Sequence, residues 1–152
     1  MVRLILLVIV ATGLGACGKK KVINGGVKDL NTLSFPNVDN SVYGAWHNDT
    51  TETGTAGYTK DTNIYFNMQG EMGTQVTCAQ ASEKLVAGLT FPAAITDSSF
   101  SIKQDVHMLQ KGEGQLKECD LTMKQGSFGL SLKGDHLDLI DGKKRFSFSR
   151  IR

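Results

Sequence analysis

Residues 42–48 read "VYGAWHN". How this stretch sits against the end of the chain, "RFSFSRIR" at 145–152, decides whether the strands form a barrel or a two-layer sandwich. Gly44-Ala45-Trp46 falls on the first of a series of segments in which apolar and polar residues alternate. Alternation at a period of two marks strands with one buried face. "NIYFNMQ" puts Ile64, Phe66 and Met68 on one face, and "KLVAGLTF" does the same for Leu85, Ala87, Leu89 and Phe91. Phe100 aligns with Ile102, Cys119 with Leu121 and Met123, and Phe128 with Leu130 and Leu132. Leu137 and Leu139 follow, and the closing segment groups Phe146, Phe148 and Arg150.

Turn signals separate these runs: Gly70, Gly73, Gly112 with Gly114, Gly126, Gly134-Asp135 and Asp141-Gly142. Pro92 ends the run before it or lies at a sheet edge. No stretch carries a helical period of useful length. Eight or nine short strands in about 110 residues indicate an all-β fold, a small antiparallel up-and-down barrel, over 41–152. That length supports one domain with a modest core.

Gly44-x-Trp46 on the first strand, with Phe146, Phe148 and Arg150 on the last, resembles the lipocalin-like, or calycin, barrels. The resemblance implies that Gly44 and Trp46 close one end of the barrel and that Arg150 lies across the Trp46 ring. An arginine over a desolvated tryptophan gains up to roughly 2 kcal/mol, and glycine permits close packing there. The longer signature around the tryptophan is replaced by a polar continuation, His47-Asn48-Asp49, and no helix follows the last strand. "IYFNMQG", "LKGDHLDLID" and the basic final strand are more similar to small bacterial lipocalin-like lipoproteins than to secreted carriers.

The N-terminus gives an address. "MVRLILLVIVATGLGAC" has one basic residue, an apolar run from Leu4 to Val10 and small residues before Cys17. This is the layout of a secretory signal over 1–16, and the apolar run is shorter than the about 20 residues of a membrane-spanning helix. Leu14-Gly15-Ala16-Cys17 resembles the lipobox of bacterial lipoproteins. The resemblance implies cleavage before Cys17 and a diacylglycerol on its thiol. Acyl chains hold a protein to the membrane by roughly 0.8 kcal/mol per buried methylene, durably when more than one is present. Gly18 replaces the Asp that the family uses for inner-membrane retention, so the resemblance favours the outer membrane. Residues 17–40 then read as the lipidated cysteine and a flexible tether, reaching on the order of 25 Å. Leu30, Leu33 and Phe35 could dock back onto the domain.

With Cys17 lipidated, Cys78 and Cys119 form an even pair in an oxidising compartment and are expected to be bridged. Both lie in phase with inward residues, so a bridge would pinch the barrel and leave its interior filled or narrow. His47, His107 and His136 are not at metal-ligand spacing and read as surface residues. No phosphate loop, paired carboxylates or nucleophile–base order points to an enzyme, a metal site or a cofactor. The whole chain carries +2, and loss of Arg3 leaves +1, which gives no reason to expect nucleic acid as a partner.

The function expected is therefore a noncatalytic, lipid-anchored envelope protein with the membrane as one partner and a small apolar ligand as another. Phe66, Phe100, Phe128, Phe146 and Phe148 would line the ligand site or fill the core. The alternative is an envelope module that works by protein contact, as scaffold or inhibitor, through the polar loop 47–61 with Tyr58 as anchor. Disulfide-bonded barrel lipoproteins that inhibit lysozyme share this size and address, but their loop motifs are absent here.

Overall fold

The computed structural model describes residues 22–25, 37–53 and 57–152, and the alternating stretches among them have become strands. In chain order these are β1 (Val22–Gly25), β2 (Gly44–Asn48), β3 (Glu52–Thr53), β4 (Thr59–Phe66), β5 (Glu71–Gln80), β6 (Glu83–Pro92) and β7 (Ala94–Ile95). They continue as β8 (Ser99–Ile102), β9 (Asp105–Lys111), β10 (Glu118–Met123), β11 (Gly126–Lys133), β12 (His136–Asp141) and β13 (Lys144–Arg150). Ten of them form one antiparallel sheet in the order β6-β5-β4-β2-β13-β12-β11-β8-β7, with β3 on β4. The sheet curls about 240° round an axis. Its curl brings β2, early in the domain, beside the last strand, with Trp46 opposite Arg150 and Asn48 opposite Phe148.

The sheet does not close into the expected barrel; it is an open half-barrel, whose edges are β6 and β7. The strict up-and-down order breaks after β8. There the chain leaves the sheet as the hairpin β9–β10, and β8 pairs with β11 instead, Phe100 opposite Phe128. Asp105 clamps the two ends of this excursion. Its carboxylate accepts hydrogen bonds from the Gln125 amide at 2.9 Å and from Lys124 Nζ at 3.1 Å. The hairpin lies against β5 and β6.

β1 runs parallel to β9, from Val22 opposite Asp105 to Gly25 opposite Met108. Four residues of the segment read as tether are thus a strand of a second, three-stranded sheet, β1-β9-β10. Asn37 is also tied to the half-barrel: its Nδ2 donates to Ile151 O at 2.7 Å, and its Oδ1 accepts from the Ala45 amide at 3.3 Å. Cys17, Leu30, Leu33 and Phe35 lie outside the described residues.

The core fills the concave side of the sheet. Trp46, Phe66, Met72, Val76, Ala87, Leu89, Phe91, Phe100, Leu137 and Phe148 are buried, together with Val106 and Met108 of the hairpin. Each such large side chain contributes about 1.5–3 kcal/mol through burial. Met68 departs from the alternation, being 66% exposed. β4 ends at Phe66 because the Asn67 side chain takes over, its Oδ1 accepting from the amides of Gln69 and Glu71 and folding the chain into a turn.

Candidate ligand-binding site

The half-barrel has a packed end, the base, around Trp46 and Arg150 and a mouth under the β9–β10 hairpin, both built from the same strands. At the base, Gly44 has φ +135°, and a Cβ there would overlap Asn37 Oδ1 and come within 3.1 Å of Arg150 Nη1. Only glycine lets these groups approach. Trp46 is fully buried, and its Nε1 donates to Val42 O at 2.8 Å. The Arg150 guanidinium lies 4.2 Å from the Trp46 ring centroid. It donates to Ser41 O at 2.7 Å and Tyr43 O at 3.2 Å, and its Nε is 3.3 Å from Asp135 Oδ1. The arginine side chain is only 4% exposed, so its charge depends on these partners. A hydrogen bond from Arg152 holds the Asp135 carboxyl below the usual range, and the Arg152 and Arg150 charges act in the same direction.

At the mouth, the β9–β10 hairpin is fastened over the concave face. The disulfide Cys78–Cys119 joins β5 to β10 with Cα atoms 5.7 Å apart. Lys60 and Asp120 pair beside it at 3.8 Å. Glu83, at the β5–β6 turn, accepts the amides of Gln115 at 2.9 Å and Leu116 at 2.8 Å. Those two amides lower the Glu83 pKa.

Between β10 and the main sheet lies a cavity of about 390 Å³. Ile64, Leu121, Met123, Phe128, Leu139, Phe146 and Phe148 form its apolar lining, and Glu52, Lys60, Lys124 and Asp141 its charged groups. The five phenylalanines singled out from the sequence therefore divide. Phe66 and Phe100 are each 1% exposed, pack against one another at 5.5 Å between centroids, and fill the core. Phe128 stacks on Phe100 at 4.7 Å and forms the cavity wall with Phe146 and Phe148. The interior is filled toward the base and hollow toward the mouth.

Thr74 also lines the cavity. It is fully buried, and its hydroxyl has no hydrogen-bond partner among the described residues. Sequence reasoning passed over it, although a threonine in phase with Met72, Val76 and Cys78 was visible as a polar residue on an inward face. A second cavity, about 410 Å³, lies in the gap of the half-barrel between Phe91–Ala94 and Ser101–Gln104.

The polar stretch 47–61 is not wholly a loop. β3 pairs within it, Glu52 opposite Lys60, and Tyr58 is half-buried and packs against the core. His47 and His136 are exposed and His107 half-buried, with His47 Nδ1 2.7 Å from Asn63 Oδ1. Among the described residues no group of three or more His, Cys, Asp or Glu is placed to hold a metal ion, and no helix is long and apolar enough to cross a membrane.

No family model, no curated protein and no solved structure matches this chain.

Proposed function

We propose that the chain is a noncatalytic, lipid-anchored protein of the bacterial cell envelope, with a lipocalin-like half-barrel that holds a small apolar molecule. The observation that carries this reading is the cavity walled by Phe128, Phe146 and Phe148. Its volume falls within the roughly 300–1,000 Å³ of small-molecule sites, and its composition, apolar walls with a few polar groups, is that of a binding pocket. Phe66 and Phe100 already fill the core below it, so the aromatic wall at the mouth is surplus to what the base requires.

The anchor rests on "LGAC" and the signal-like run before it. Diacylation of Cys17 would place the domain on the outer membrane, beside the apolar molecules that collect there. A Cys17→Ser variant is expected to leave the membrane fraction; its fractionating with membranes as the parent does would remove the anchor from this reading.

Native mass spectrometry of the exported chain, purified without detergent, tests the binding itself. A reproducible added mass that organic extraction removes is the expected result. A bare mass after exposure to membrane extracts would contradict it and leave the protein-contact role as the better one.

A further inference from the structure

We infer that the face around the gap of the half-barrel, between Phe91–Ala94 and Ser101–Gln104, rests on the membrane, with Met68 in its apolar layer and Lys103 at anionic phosphate headgroups. This rests on the lipid anchor proposed above and names the surface and the lipid class that the anchor brings together.

The chain reaches the domain beside this gap. β1 begins at Val22, opposite Asp105, and runs parallel to β9. Gln104 and Val106, on either side of Asp105, line the gap. Neighbouring strands lie about 4.8 Å apart, so Val22 enters next to its wall. Cys17 stands five residues earlier. Five extended residues span at most about 18 Å, less than the roughly 30 Å across a small domain. An anchor on Cys17 therefore holds the bilayer against this face and not against the opposite one.

The side chains on this face suit a bilayer. Ala93, in the wall of the gap, donates its amide to Gly70 O at 2.9 Å, which fixes the β4–β5 turn beside it. Met68 stands in that turn, 66% exposed. Asn67 makes the hydrogen bonds of the turn, so Met68 has no task there that a polar residue would not do as well. Pro92 and Ala94, on the rim of the gap, are exposed too, and grouped exposed apolar side chains mark an interaction surface. An unbranched methionine adapts to a fluid apolar layer. Lys103, also exposed, is the one charged residue among the described residues lining the gap. Lys19, Lys20 and Lys21 lie between the anchor and Val22 in the sequence. Against these four lysines stand Glu71, at the start of β5, and Asp97, between β7 and β8; Asp105 is already paired with Lys124. Lysines held at the surface of an anionic leaflet are drawn to its phosphates.

The test uses the full lipidated chain in vesicles of phosphatidylethanolamine and phosphatidylglycerol with brominated acyl chains, which quench tryptophan fluorescence on contact. Trp46, fully buried, serves as the background. Met68→Trp is compared with Lys143→Trp, in the turn between β12 and β13 at the middle of the sheet, across the axis from the gap. Both positions are exposed, so neither variant should melt below the parent. The emission added by Met68→Trp should be mostly lost, while that added by Lys143→Trp should be almost fully kept. The preference of tryptophan for membrane interfaces acts on both variants alike. Lys103→Glu, combined with Met68→Trp, should lower the quenching about twofold. Equal quenching of the two tryptophan variants, or none in protein that floats with the vesicles, would overturn the inference and leave the anchor standing. Quenching indifferent to Lys103→Glu would overturn the headgroup contact. Protein that fails to float with the vesicles would instead overturn the anchor itself.

Discussion

The two ends of the half-barrel share strands and differ in almost everything else. On β13, Arg150 is buried against Trp46 while Phe146, four residues earlier, stands half-buried on a cavity wall. On β2, Gly44 and Trp46 are packed to contact, whereas Asn48 faces the open mouth. At the base, directional bonds converge: a stacked guanidinium, two carbonyls, a carboxylate and a glycine that admits them all. At the mouth, a disulfide and a glutamate hold a hairpin at its outer end and leave space beneath it. The lesson is a division of labour along the strand: rigidity is concentrated where nothing needs to enter. Stability and binding should then respond to different residues.

The largest effect is expected at the base. Trp46→Ala leaves a cavity under Arg150 and removes the ring that its guanidinium stacks on, and should cost about 3–5 kcal/mol in denaturant unfolding. A loss well below that would mean the base is not where stability resides. Removing the bridge, with Cys78→Ser and Cys119→Ser together, opens a loop of sequence separation 41. On the chain-entropy model this costs up to about 4 kcal/mol. Its signature should be local as well: hydrogen exchange should rise first in β10 and last in β2 and β13. Uniform acceleration would erase the distinction between the ends. Gly44→Ala should cost about 1–3 kcal/mol, from its positive φ and the crowding by Asn37 and Arg150, without affecting uptake of an apolar probe.

The smallest effect concerns pH. The folded pKa of Glu83 is lowered by the amides of Gln115 and Leu116, so its contribution is present above the unfolded carboxyl pKa, about 4.3. It is lost as pH falls through the lower folded value. Exchange protection at those two amides should decline there while the Trp46 indole stays protected. Glu83→Gln should abolish the pH dependence.

The strand faces were legible because a period of two assigns a side without needing to know the partner. Leu89 and Phe91 on β6, and Phe100 and Ile102 on β8, are buried as their alternation implies. Met68 was misread because the alternation runs on past the point where Asn67 turns the chain. The excursion of β9–β10 was not legible at all. Val106 and Met108 alternate like any strand, and what lifts them from the main sheet is long-range: the Asp105 clamp, the bridge to β5 and the parallel partner β1. In the candidate site, periodicity placed the five phenylalanines inside but not their depth along the axis. Depth divides Phe66 and Phe100 in the core from Phe128, Phe146 and Phe148 at the cavity, and it depends on registers such as Phe128 opposite Phe100.

That division offers the most direct test: Phe66→Ala and Phe146→Ala compared side by side, each read for unfolding free energy and for uptake of an apolar fluorescent probe. Phe66→Ala should lose about 3–5 kcal/mol while its folded fraction still binds. Phe146→Ala should lose under about 1.5 kcal/mol and most of its uptake. Equal stability losses, with uptake unchanged in Phe146→Ala, would contradict the account and make the mouth merely a looser part of the core.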